Sequence, residues 1–141
     1  VSDKEIQLAQ RLDELAPGPW LWFGPFTAGW RLGTGGFGYV RYCPFDNSLE
    51  WLLDLNCTGA TNADGTLIAT LPAQDAQGNN LRPSVTMTVH CATDLLQSTT
   101  PGSPRLRIAP AGDIRVYGVA SGATWLRATC QRITLDDVAV N

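Results

Sequence analysis

Apolar and polar residues alternate one for one along much of the chain. In "LEWLLDLNC", Leu49, Trp51, Leu53, Leu55 and Cys57 fall on one side, and Glu50, Leu52, Asp54 and Asn56 on the other. In "SVTMTVHC", Val85, Met87, Val89 and Cys91 oppose Thr86, Thr88 and His90. Successive side chains of a strand point to opposite faces, so a period of two predicts strands with one face buried. The same pattern puts strands at residues 20–23, 39–43, 66–71, 105–109, 113–118 and 124–135. Glycine and asparagine clusters in "NADG", "AQGNN" and "APAGD" mark turns between them, the last a hairpin. About eight short strands punctuated in this way predict an all-β protein, an antiparallel β-sandwich of jelly-roll type.

One stretch departs from the alternation. "SDKEIQLAQRLDEL", residues 2–15, is the only convincing helix: Ser2 and Glu5 have the spacing of a capping box, and "PGP" at residues 17–19 stops it. Leu8, Leu12 and Leu15 are spaced by four and then three, with Val1 one heptad before Leu8 and the polar Glu5 at an intervening seam position. So short a helix is marginal alone and must pack on its own domain or on copies of itself. The stripe is narrower than the face that a helix shows to a globular core, which favours copies. The expected organisation is therefore residues 1–16 as a self-associating coiled-coil helix and residues 17–141 as a β-sandwich head.

Composition fits one core and one domain. Charged residues make up 16% of the chain, the net charge is −3, and there are 14 glycines and 9 prolines, as tight-turned β proteins require. The ten basic residues form no run; Arg105, Arg107 and Arg115 lie scattered among strand segments, so nucleic acid is not an expected partner. No apolar segment reaches the roughly 18–20 residues that span a bilayer, and no membrane insertion is expected.

"LGTGGFGYV", residues 32–40, matches the glycine-rich loop of a kinase at Gly33, Gly35 and Gly38. Such a loop only covers phosphates, whereas a following lysine and metal-holding carboxylates do the electrostatic work. The only lysine, Lys4, precedes the loop, and "YVRYCPF" after Gly38 reads as strand rather than as the helix that would receive a pyrophosphate. The segment is expected to be a flexible turn between two strands, without nucleotide or cofactor. His90, the only histidine, falls on the polar side of its strand, and Asp136 and Asp137 diverge, so no catalytic residues are expected and the protein is read as a non-enzyme. Cys43, Cys57, Cys91 and Cys130 lack metal-ligand spacing; buried thiols are the default, with a disulfide framework left open.

Binding residues are expected in loops held on the sandwich, in "AQDAQGNN" and "LQSTTPGSP". Asp75, Gln77, Asn79 and Asn80 offer oxygen and amide groups for a hydroxyl-rich ligand, and alanine at 75, 79 and 80 is expected to leave stability unchanged. Aromatic residues crowd the front: Trp20, Trp22, Phe23, Phe26, Trp30, Phe37, Tyr39, Tyr42, Phe45 and Trp51. Most must be core, with a minority left for a sugar-binding surface or an inter-subunit contact.

The order of features resembles the C-terminal head of bacteriophage tail-fibre or receptor-binding proteins. A helix ending in prolines is followed by "GPFTAGW", "YVRY", "EWLLDLNCTG", "GTLIATLP", "LRPS", "LRIAPAGDIRVYG" and "TWLRATCQRITL". The resemblance covers residues 20 to 135; the insertion "AQDAQGNN" and the four cysteines depart from it. It implies a homotrimer at a fibre tip, part of a virion, that adsorbs to a bacterial cell-surface receptor, a saccharide or a protein. A monomeric carbohydrate-binding module and a fibre protein without ligand remain the alternatives.

Overall fold

A computed structural model describes residues 2–8, 16–24, 26, 30–57, 64–94, 104–120 and 122–135. Among these, residues 3–8 are helical, and nine strands follow: β1 Leu21–Trp22, β2 Trp30–Cys43, β3 Ser48–Cys57, β4 Thr66–Thr70, β5 Met87–His90, β6 Ala92–Thr93, β7 Arg105–Ile108, β8 Asp113–Tyr117 and β9 Trp125–Thr134. They make two antiparallel sheets, one of five strands in the order β1-β2-β3-β9-β6 and one of four in the order β4-β8-β7-β5. The all-β sandwich is as the alternation predicts.

The core lies between the sheets and takes one face from each. Leu49, Trp51, Leu53 and Leu55 of β3 are fully buried, as are Leu106 and Ile108 of β7 and Ile114 and Val116 of β8. The Trp51 indole N–H donates to the Met87 sulfur at 3.3 Å, tying β3 to β5 across the layers. Phe23 meets the rings of Trp51 and Phe26 edge-on, at 5.2 and 5.4 Å between centroids. Each such contact adds about 0.5–1.5 kcal/mol beyond the area buried.

Two expectations need correction. "GTGGFG" is no turn between strands: it lies inside β2, which runs unbroken from Trp30 to Cys43. Leu32 pairs with Leu55 and Phe37 with Asp54, so residues 33–36 bulge from the ladder. Glycine at 38 has a packing reason. A Cβ there would stand 2.8 Å from the Phe26 ring, and the Gly38 carbonyl accepts the Phe23 N–H at 3.2 Å. The alternation also puts Val85 in the buried set, but β5 starts at Met87 and Val85 is exposed. The neighbouring Ser84 gives both its N–H and its hydroxyl to the Leu135 carbonyl, which holds this stretch to the end of β9.

The turns use glycine where the backbone requires it. Gly112, at φ 95°, closes the β7–β8 hairpin: its N–H donates to the Ala109 carbonyl, and the Asp113 carbonyl accepts the Ala109 N–H. Cys43 and Cys91 are free thiols, whereas the side chains of Cys57 and Cys130 lie outside the described part of the structure. Burial pushes the Cys91 thiol up to about 12.

Candidate functional site

The loop at residues 73–80 is a small closed structure. Asp75 is buried, and its Oδ1 accepts the N–H groups of Gln77 and Asn79, each at 2.9 Å, while Oδ2 accepts the Asn79 amide at 2.9 Å. Gln74 bridges to Asn80, and Leu81 N–H donates to the Ala73 carbonyl. Arg82 closes the base by giving two N–H groups to the Leu71 carbonyl, at 3.0 and 3.1 Å. Asn80 is exposed but brackets the Arg82 backbone, donating to its carbonyl and accepting its N–H. Gln77, at the tip, is exposed. Asp75, Asn79 and Asn80 thus organise the loop, so removing Asp75 must cost stability, contrary to the expected neutrality of the triple alanine variant. The other expected loop, "LQSTTPGSP", lies outside the described residues except for Pro104.

The N-terminal helix begins as its capping signal predicts: Glu5 N–H donates to the Ser2 hydroxyl at 3.2 Å. Ile6 and Leu8 are 46% and 60% exposed and join no part of the core. Leu12 and Leu15 lie outside the described residues.

The outer face of the five-stranded sheet carries a strip of exposed rings. Trp22 of β1 stands opposite Tyr39 of β2, and Tyr39 opposite Leu52 of β3. Trp22 and Tyr39 are 45% and 37% exposed. Gly24 makes room for the Trp22 indole, since a Cβ there would fall 2.4 Å from it, and Phe26 meets the same ring edge-on at 6.3 Å. Next to this pair, the Arg41 guanidinium lies 4.3 Å from the centre of the exposed Trp20 ring and pairs with Glu50 at 2.6 Å. The aromatic crowding is visible in the sequence. The strand parity that turns Tyr39 outward and Val40 inward is the signal that separates surface rings from core rings.

Arg105, Arg107 and Arg115 are not scattered once the chain has folded. Registers β7–β8 and β5–β7 bring them to one outer face of the four-stranded sheet, with Arg107 directly opposite Arg115 and Arg105 opposite Tyr117. Sequence separation conceals this, because the hairpin at Gly112 folds residue 115 back onto residue 107.

No protein-family model matches the sequence, and no curated protein matches it. A solved structure does. The receptor binding protein (gp15) of Listeria phage PSA aligns with a TM-score of 0.59 and 19% identity, covering 92% of this chain and 73% of that one. The chain has the fold of a phage receptor-binding protein.

Proposed function

We propose that the chain is the receptor-binding head of a bacteriophage tail fibre, assembled as a homotrimer at the fibre tip and adsorbing, without catalysis, to a saccharide on the bacterial surface. The observation that carries this reading is the sandwich held in common with gp15 over 92% of the chain. The exposed rings of Trp22 and Tyr39, with the half-buried Leu52 beside them, support the saccharide, because aromatic faces suit the C–H faces of sugar rings. Gln77, exposed at the tip of the 73–80 loop, is the member of the set Asp75, Gln77, Asn79 and Asn80 placed to add a polar contact. The exposed Leu8 supports the trimer, with Leu12 and Leu15 continuing its stripe.

The test is sedimentation of labelled protein with bacterial cells and with their purified surface saccharides. Trp22→Ala with Tyr39→Ala is expected to reduce retention while leaving the melting temperature close to that of the parent. Retention unchanged by the double variant would remove the aromatic strip from the reading, and absence of binding to any envelope preparation would remove the reading itself. Light scattering checks assembly: a mass of one chain rather than three would exclude the homotrimer.

A further inference from the structure

The outer face of the four-stranded sheet is built around cations. Its outward positions fall in register rows. Leu67, Arg115, Arg107 and Thr88 form one row, and Tyr117, Arg105 and His90 the next. Asp113, two residues before Arg115, is the one carboxylate that these strands carry among the described residues. Arg107 is exposed and stands directly opposite Arg115. Like charges in that position oppose folding, at a side-chain separation of about 5 Å. The face is also arranged in advance. Arg115 donates to the Gly65 carbonyl at 2.9 Å and reaches Asp113 at 3.4 Å, while Arg105 and Arg107 lie 5.3 and 5.4 Å from the Tyr117 ring centre.

From this we infer that the face binds an acidic polysaccharide, one with a carboxylate or phosphate on its sugar repeat, with Arg105, Arg107 and Arg115 meeting the anions and Tyr117 the sugar ring. An anion between Arg107 and Arg115 would turn their repulsion into two charge-assisted hydrogen bonds. The cations are spaced by about 5 Å across strands and about 7 Å along β7, which suits a polymer charged at each unit better than a single ion. Three arginines on a chain of net charge −3 are a poor footprint for nucleic acid, which needs a broader basic surface. The inference rests on the proposed saccharide-binding role and adds the charge of the ligand.

Affinity electrophoresis of the full chain tests it, with polygalacturonate as the carboxylate probe, a glycerol-phosphate polymer as the phosphate probe, and neutral dextran and a single-stranded oligonucleotide as competitors. Retardation by either acidic polymer and not by dextran is expected, with Arg107→Gln plus Arg115→Gln weakening it about tenfold or more. Arg127→Gln plus Arg132→Gln, which removes the same charge from the other sheet, should leave it unchanged. Thermal melting establishes that each variant is folded. Equal retardation of the Arg107→Gln plus Arg115→Gln variant, equal loss in Arg127→Gln plus Arg132→Gln, or tighter binding of the oligonucleotide overturns the inference. If the Arg107→Gln plus Arg115→Gln variant adsorbs to bacterial cells as the parent does while Trp22→Ala with Tyr39→Ala fails to, the anionic site is wrong and the receptor-binding reading stands. If polygalacturonate binds and no envelope preparation does, the anionic site stands and the receptor-binding reading is wrong.

Discussion

Arginines on the outer faces of the two sheets keep different company. On the five-stranded sheet each described ion pair matches one cation to one carboxylate: Arg41 with Glu50, Arg127 with Asp54 and Arg132 with Asp46. Two of these cations also lie over indoles, Arg41 on Trp20 and Arg127 on Trp125. Among the described side chains, that face matches its charges in pairs and displays rings. On the four-stranded sheet, Arg115 pairs with Asp113, Arg105 and Arg107 both lie near the Tyr117 ring, and Arg107 and Arg115 oppose each other. The backbones are alike, so the difference lies in side chains that folding does not need. Burial sets the inward residues of both sheets, whereas folding leaves the outward ones free to differ, which is where a ligand or a partner can leave its mark.

The largest effect is expected at the loop that supports the ring-bearing face. A Cβ on Gly18 would lie 3.0 Å from Asp75 Oδ2 and 3.2 Å from the Asn79 amide, so the chain entering Trp20 rests on this loop. Asp75→Ala removes an acceptor of three hydrogen bonds and should cost about 3 kcal/mol in chemical denaturation, with the anionic probe still bound by the refolded protein. A cost below about 0.5 kcal/mol, the range of ordinary surface changes, would contradict it. Gly38→Ala should come next, at about 1–3 kcal/mol, because the added methyl meets the Phe26 ring under the aromatic strip. It should disturb saccharide retention and spare polygalacturonate binding; losing both together would erase the contrast between the faces.

A smaller effect of opposite sign is expected from Arg107→Glu. It replaces a like-charge cross-strand pair with an opposite-charge one and should stabilise the fold by about 0.2–1 kcal/mol while abolishing retardation by acidic polymers. Loss of stability together with loss of binding would point to a structural role for Arg107. The smallest changes concern pH and lie at the seam between the sheets, where β5 passes into β6. Asp94 accepts the hydroxyl and the N–H of Thr124, which hold its carboxyl below the usual range. A lowered folded value favours the folded state at neutral pH, and the benefit disappears as the pH falls through it. Asp94→Asn should flatten the acid side of the stability profile. The Cys91 thiol, at about 12 against an ordinary 9.0, has the reverse sign: its contribution is complete below pH 9 and declines from there towards 12. Cys91 should therefore resist alkylation at pH 8 in the folded protein and react once it is unfolded.

Much of the fold is legible in the sequence because its cause is local. The β3 alternation from Leu49 to Leu55 appears intact in the burial, and "APAGD" forms the hairpin its glycine predicts. The two-residue strand β6 escapes notice because so short a run has no period to detect. The β2 bulge escapes because glycines read as a turn, whereas here they swell one continuous strand whose ladder with β3 resumes at Phe37. The candidate surfaces are less legible. Composition singles out Asp75, Gln77, Asn79 and Asn80, yet it does not reveal that the Asp75 carboxylate faces its own loop. The arginine face depends on pairing between segments that only register brings together.

One side chain has a meaning for how copies of the molecule behave in company. His90 lies at the end of β5, whose far side has no strand beside it among the described residues, so its N–H and C=O point away from the sheet. Gln131 of β9 occupies both: its amide oxygen takes the His90 N–H at 2.8 Å and its amide nitrogen donates to the His90 carbonyl. The glutamine stands in for one peptide unit of a further strand. Proteins concentrated at one place are exposed to edge-to-edge joining, which begins at such open rims. With that position already filled from within the same chain, a neighbour that meets the β5 rim finds no complete row to zip onto.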